Sequence, residues 1–297
     1  MYNYKRGKCI VCGKRTSHRN NDGLFACTTC DTMGLEDTLN FEQTISNKSV
    51  NLNIRHENSQ NKIDIICFGD WHYGDMSCNV AAVKNQIEWI KNNSRARVIL
   101  MGDILNCGTK KSIGAGTFQD NRNPQQQYDD VIEMLKPIKD KLYGVHIGNH
   151  EQRILNETGI NLSKMMAKEL NTKYLGYSSF HSIKVGEINY SFFTTHGSSG
   201  ATLPHTKIKR CLDLAAFIDA DIYCMGHVHA LQVLAQEYKK INLKNKVVQK
   251  DKKYFVLTGH YLQYEDSYAD MKSMRPSKQG CARIRLDGLK KDIHVSV

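Results

Sequence analysis

The sequence predicts an α/β domain built on a largely parallel sheet, with a small cysteine module ahead of it. Three observations carry this. Short apolar runs rich in Ile, Val and Leu alternate with stretches of helical periodicity, the pattern of strands covered on both faces. Four of these runs end in Gly followed by a residue able to bind a metal: Gly69-Asp70, Gly102-Asp103, Gly148-Asn149 and Gly226-His227. Two CxxC pairs, Cys9-Ile-Val-Cys12 and Cys27-Thr-Thr-Cys30, open the chain.

Composition narrows the function classes. With 297 residues the chain can bury a full core and still carry a small appendage. No apolar run reaches the length of a membrane span, and the opening MYNYKRGK lacks the apolar centre of a signal peptide. The expected location is the cytoplasm, with no membrane partner, and there the ten Cys read as thiols or metal ligands rather than disulfides. A formal charge of +11 and a pI near 9.1 favour polyanionic partners, nucleic acid first, although Lys-rich solvated faces give such a surplus too.

In the first module, fourteen residues separate the two cysteine pairs. Four thiolates at Cys9, Cys12, Cys27 and Cys30 would complete a tetrahedron around one structural zinc, leaving no open position for chemistry. Residues 1–40 are therefore expected to form a zinc ribbon. Lys14, Arg15, His18 and Arg19 lie between its knuckles and either meet phosphates or form a solvated turn on a module that contains the contact for a protein partner. Residues 41–61, polar and rich in Asn and Ser, read as a linker, and 62–297 as the main domain.

The main domain opens with the run Ile63 to Phe68, ended by Gly69. Asp70 and His72 stand two apart, so in an extended segment they point to one side, and a carboxylate with an imidazole suits a divalent metal. Taken alone, the pair reads equally well as a helix-capping Asp beside a surface His. Val80, Val83, Ile87 and Ile90 predict a helix from Asn79 to about Asn93, with Asn79 as its cap. A second strand, Val98 to Met101, runs into Gly102-Asp103; parallel strands would bring this carboxylate to the same end of the sheet. The stretch from Asn106 to Gln127 is too long for a plain connection and is expected to border the site.

A helix around Gln126 to Leu135 leads to a third strand, Leu142 to Ile147, which ends in Gly148-Asn149-His150-Glu151. Here an amide oxygen is available to a metal, and the imidazole can serve as a proton donor held by the neighbouring carboxylate. Arg153 reads either as a contact for a substrate phosphate or as half of a helix-surface ion pair. Phe180 to Val185 and Ile188 to Thr195 read as a hairpin ending at His196-Gly197. A helix over Thr206 to Ile218 and a strand from Ile222 to Met225 lead to His227 and His229. Beyond Leu231 the chain reads as β-rich, with strands at Val247-Val248, Tyr254 to Leu257, Cys281 to Leu286 and Asp292 to Val295. The lysines between Lys239 and Lys253 form either a nucleic-acid groove or a solvated hairpin. Gly259-His260-Tyr261 reads as a site-edge loop, and Tyr261, Tyr264 and Tyr268 either stack on bases or pack.

In this order, GDWHYG, MGDILN, GNHE, HG and GHVH resemble the calcineurin-like metallophosphoesterase superfamily over Asp70 to His229. The resemblance implies a metallophosphoesterase sandwich of two mixed β-sheets flanked by helices. It implies two divalent ions, one held by Asp70, His72 and His229, the other by Asn149, His196 and His227, with Asp103 bridging them and His150 as general acid. Asn106 departs from the second acid of GDxxD, and Glu151 from the Asp of GNHD; neither position is a direct ligand in the family. The mixed O/N ligand set admits Mn, Fe, Zn or Ni, with Mn favoured. The implied activity is that of a two-metal phosphoesterase. Hydrolysis of DNA or RNA is the first expectation; a phosphatase or phosphodiesterase for proteins, nucleotides or other small phosphoesters is the alternative.

Overall fold

The computed structural model describes residues 7–9, 15–18, 25, 52–57, 62–109 and 120–297, and the chain divides into two compact units, 1–51 and 52–297. In the first unit, β1 (Gly7–Lys8) pairs antiparallel with β2 (Arg15–Thr16), and Cys9 is buried. Cys12, Cys27 and Cys30 lie outside the described residues, as do Lys14 and Arg19, and with them the expected ribbon.

The second unit opens on β3 (Leu52–Glu57), within the stretch expected to be a linker. It pairs in parallel with β8 (Ser178–Val185), so the sheet begins ten residues earlier than the sequence indicates. The reason lies in its side chains. Leu52 and Ile54 face solvent, while Asn53 is buried and donates to Tyr143 O at 3.1 Å. An edge strand with its polar residue inward carries no apolar signal.

From there the expected strands and helices appear in order, joined by a helix and a short strand between residues 160 and 177 that were not expected. β4 (Lys62–Phe68), α1 (Val80–Asn92), β5 (Ala96–Leu100), α2 (Pro124–Leu135), β6 (Leu142–His146), α3 (Asn149–Thr158), α4 (Leu162–Glu169) and β7 (Tyr174–Gly176) build one half of the unit. β4, β5, β6 and β7 are parallel neighbours. Asn79 caps α1 by accepting from Ala82 N at 3.0 Å, and Asn123 and Gln126 form a capping box on α2. β8 and β9 (Ile188–Thr195) form the expected hairpin, followed by α5 (Pro204–Leu212), which ends earlier than predicted, and β10 (Ile222–Met225). β11 (Leu231–Asn242) and β12 (Val247–His260) make a long hairpin; the two strands predicted near Val247 and Tyr254 are one continuous strand. β13 (Gly280–Asp287) and β14 (Ile293–Ser296) complete a twelve-stranded mixed sheet among the described residues.

This sheet folds into two layers. One half runs β3-β8-β9-β10-β12, with β11 on β12; the other runs β13-β4-β5-β6-β7, with β14 on β13. Among the described residues, the strand pairing that joins them is that of Gly259 and His260 of β12 with Cys281 and Gly280 of β13. Alternate residues of β4 show how the halves stack. Ile63, Ile65 and Cys67 share a core cluster with Ile183, Phe192, Ile222 and Val256 of the other half. Ile66 and Phe68 point the opposite way, into a cluster with Val83, Ile87 and Ile90 of α1 and Val131 and Leu135 of α2. On the outer face of the β3-β8-β9-β10-β12 half, Phe193, Tyr223 and Phe255 pack with Cys211 of α5. The product is a sandwich of two sheet layers with helices outside. Each fully buried Ile in it contributes about 1.5–3 kcal/mol. Tyr261 belongs to this core, its ring 5.3 Å from that of Phe68, so it packs rather than stacks on bases.

Candidate metal centre

Every ligand-type residue stands just beyond a strand end. Asp70 and His72 follow β4, Asp103 follows β5, and Asn149 opens α3 after β6. His196 follows β9, and His227 and His229 follow β10, in the other layer. The two layers thus deliver their polar ends to one place. Asp70, His72, Asp103, His227 and His229 all have positive φ, between 46° and 68°. An L-residue held there costs on the order of 1–3 kcal/mol, and such strain collects at functional sites because the fold must aim a side chain there.

Close backbone packing enforces the aim. Asp70 N donates to Gly102 O at 3.0 Å, and Trp71 N and His72 N donate to Asp103 O at 2.9 and 3.0 Å. A Cβ on Gly148 would lie 2.1 Å from Asp103 N, so only glycine allows the two loops to touch. His150 N donates to Asp103 Oδ1 at 2.8 Å, and His227 N donates to the Asp70 carboxylate at 3.0 and 3.1 Å.

Three groups of side chains converge to within 4.8 Å: Asp70, His72 and His229; His72, Asp103 and His150; and Asp103, His196 and His227. His72 Nε2 and His229 Nε2 are 2.9 Å apart. Asn149 Oδ1 lies 3.0 Å from His196 Nε2 and 2.7 Å from His227 Nδ1. Asp103 Oδ2 lies 3.3 Å from His196 Nε2 and 3.8 Å from His72 Nε2. The structure therefore gathers all seven residues that the sequence singles out as ligands.

The donor set fits divalent cations. His196 Nδ1–H donates to Met101 O at 2.9 Å, which turns the Nε2 lone pair of the neutral ring toward the oxygens of Asn149 and Asp103. Lone pairs opposed in this way repel unless a positive charge lies among them. The same demand shows in the titration of the cluster. Burial lowers the His196 pKa, but Asp103 outweighs it and draws it up to about 10. Burial would raise Asp103, yet His196, His150 and His72 hold it well below the usual carboxylate range. Burial, reinforced by His150, pushes His72 well below the ordinary histidine value.

Around this cluster the structure assigns contacts that the sequence did not indicate. Glu151 does not hold His150. It is buried and accepts from Asp103 N and Gly148 N through Oε2, at 3.1 and 2.9 Å, and from Leu105 N through Oε1 at 2.9 Å. Burial, with Asp103 nearby, pushes its pKa up to about 7. His150 is fixed by Asn106: its Nδ1–H donates to the Asn106 carbonyl at 2.7 Å. The Asn106 side chain in turn donates to Asp120, which also accepts from Gly108 N and Gln127 Nε2, so both described ends of the long loop border the site. Arg153, one turn along α3, places Nη2 3.0 Å from His150 Nε2. His260, where the sequence suggested a loop, is the last residue of β12 and stacks on His229 with ring centroids 5.4 Å apart, at the edge of the site.

A sequence profile described as calcineurin-like phosphoesterase matches residues 63–275. No curated protein matches the chain. Among solved structures, it is similar to a conserved uncharacterized protein, a predicted phosphoesterase, from Streptococcus pneumoniae TIGR4, with 13% identity, 80% of this chain and 90% of that one covered, and a TM-score of 0.34. A metallophosphoesterase from Sphaerobacter thermophilus is 14% identical over 76% of this chain and 83% of its own, with a TM-score of 0.39. Vps29 from Chaetomium thermophilum is 11% identical over 79% and 96%, with a TM-score of 0.40. These likenesses are distant, and the assignment to a family rests on the profile match. No helix among the described residues is long and apolar enough to cross a membrane.

Proposed function

Because the chain belongs to the calcineurin-like phosphoesterase family, we propose that its cluster is a two-metal centre and that this metal-dependent phosphoesterase is a phosphodiesterase acting on nucleic acid. Asp70, His72 and His229 would hold one cation and Asn149, His196 and His227 the other, with Asp103 shared between them. One observation carries this reading: the Asp103 carboxylate lies against His72 of the first set and His196 of the second. When bound, paired divalent cations neutralise phosphoryl oxygens and acidify a water for in-line attack, and manganese is the favoured metal.

The protein's own groups complete the site. Met101 O and Asn106 O fix the rings of His196 and His150, and Glu151 ties the Asp103 and Gly148 turns together. His150 is the general acid, transferring a proton from Nε2 to the leaving alkoxide. Arg153 now shares that nitrogen. An anionic ester oxygen entering between the two would accept from Arg153 and favour a second proton on His150, at Nε2, so Arg153 binds the phosphate while the imidazolium supplies the proton. The charge of +11 supports nucleic acid as the substrate class. The four-Cys module is proposed to hold a structural zinc and to offer a surface to a protein partner.

The test is manganese-dependent cleavage of labelled single-stranded and duplex DNA, RNA and bis-p-nitrophenyl phosphate, with Asp103→Asn beside the wild type. Cleavage of nucleic acid that disappears in the variant supports the full reading. Hydrolysis of the small diester with every nucleic acid left intact overturns the substrate class and turns the search to nucleotides and phosphoproteins.

A further inference from the structure

The hairpin of β11 and β12 leaves the site directly. Its first residue, Leu231, is two places past His229, and its last is His260, which stacks on His229. Its inner half, from Lys253 to His260, is buried, whereas Val247 to Lys252 of β12 are exposed throughout, as is most of the facing strand. A two-stranded ribbon standing clear of the body gains little from burial, so its composition reflects what it meets outside.

That composition is basic with an apolar tip. The hairpin has seven lysines against Glu237 and Asp251, and all but Lys253, which is anchored to Asp219 at 2.5 Å, are exposed. Lys239 sits directly opposite Lys250, a like-charge pair relieved in part by Glu237, whose Oε2 lies 3.5 Å from Lys250 Nζ. Lys252 lies on the same face, opposite Glu237, two pairs nearer the root. At the tip, Ile241, Leu243 and Val248 are 67%, 83% and 63% exposed between Lys240, Lys244 and Lys246.

The geometry points to this ribbon as an arm that grips duplex nucleic acid and feeds it to the metal centre, an inference that rests on the nucleic-acid reading above. A two-stranded β-ribbon fits the major groove of a duplex, lysines meet its phosphates, and apolar wedges at a tip suit base steps. A single strand is a poorer fit, because the outer half from Gln236 to Lys252 carries no fully exposed aromatic on which bases would stack. Twelve residues at about 3.4 Å each give a reach of about 40 Å. That is slightly more than one duplex turn of about 34–36 Å. The tip therefore reaches about one turn from the bond that is cut, and Lys239, eight residues from Leu231, stands with its partner Lys250 at about 27 Å.

The experiment compares the full-length manganese-loaded protein with a triple Lys239→Gln, Lys250→Gln, Lys252→Gln variant and the corresponding triple Lys→Arg variant. It measures kcat/KM on duplexes of roughly 8 and 24 base pairs, shorter and longer than the reach, and on bis-p-nitrophenyl phosphate. Sedimentation with vesicles of equal parts phosphatidylserine and phosphatidylcholine runs alongside. On the long duplex the Gln variant should lose about tenfold or more, and its salt slope should fall by up to about 2.7. The small diester should be unaffected, the short duplex, which meets these lysines only at its end, should lose less than the long one, and the Arg variant should behave as wild type. If wild type cleaves the long duplex and the Gln variant equals it in efficiency and salt slope, the arm is overturned while the nuclease stands. If wild type hydrolyses only the small diester, the underlying reading fails and the arm with it. Vesicle binding lost in the Gln variant with duplex cleavage unchanged would assign the ribbon to an anionic lipid surface instead.

Discussion

Glu151 accepts the backbone N–H of Asp103 at 3.1 Å, with the donors of Gly148 and Leu105 on the same carboxylate. A side chain three residues along a helix thereby fixes the turn that carries the bridging carboxylate. Glu151→Ala leaves three N–H groups without this acceptor and should destabilise the protein by about 2–4 kcal/mol. Urea unfolding of the metal-free protein measures it.

The pH dependence of the same residue has a definite sign. Its folded pKa of about 7 lies above the ordinary glutamate value of 4.5. Between those values the unfolded state releases a proton that the folded state keeps, so stability falls as pH rises. Metal-free wild type should lose stability across that window, and Glu151→Gln should show a flatter profile. Equal slopes would mean that Glu151 does not carry the effect.

Asp103→Asn should reduce both metal content and activity while preserving the fold. An amide presents one oxygen where the carboxylate presents two, and only the carboxylate carries charge into both sets. Metal analysis after gel filtration should show fewer ions per chain than wild type. Chelation of wild type should lower its Tm, restored by added manganese, because bound metal stabilises the folded state by mass action.

His150→Asn should slow esters of simple alcohols more than activated aryl esters, since only the poor leaving group needs the proton. An equal loss on both would remove His150 as the acid. Arg153 adds a separate signature. Burial lowers the His150 pKa below its ordinary value, Asp103 opposes this, and Arg153 lowers it further. An acid is lost as pH rises through its pKa, so Arg153→Gln should move the alkaline limb of the rate profile upward in pH. An unmoved limb accompanied by a higher KM would leave Arg153 with phosphate binding alone.

Glu57 joins the edge strand to the sheet: Arg97 donates to its two oxygens at 2.8 and 2.6 Å, and Tyr143 donates at 2.5 Å. Burial raises its pKa, but the bonds from Arg97 and Tyr143 outweigh this and lower it. Glu57→Gln should cost about 1–3 kcal/mol at neutral pH. The stability this carboxylate adds is present above 4.5 and is lost as pH falls through its lower folded value. Denaturation curves of the two proteins should therefore differ at neutral pH and converge at acid pH.

The central strands and the ligand residues were legible because each is a local pattern: an apolar run, a glycine, a carboxylate, amide or imidazole. Ile63 to Phe68 with Asp70 and His72 needs no distant residue to be read. β3 was not legible, because its partner β8 lies more than a hundred residues away and its inward side chain is Asn53. The role of Glu151 was misread for a related reason. Adjacency to His150 suggested a side-chain partner, whereas helix geometry turns Glu151 back toward the turns at Gly148 and Asp103.

By itself, the sequence determined the order of the central strands and their helices, the chemistry available at each strand end and the calcineurin-like phosphoesterase family. Hydrophobic periodicity and local residue types set these over a few neighbouring positions. Only the tertiary structure decided that Asp103 lies between His72 and His196, that Asn106 and Arg153 bracket His150, and that β11 and β12 form one long ribbon rooted at His229 and His260. Those relationships depend on how two sheet layers stack and on backbone held at positive φ, and the packing of the whole domain supplies the energy for both.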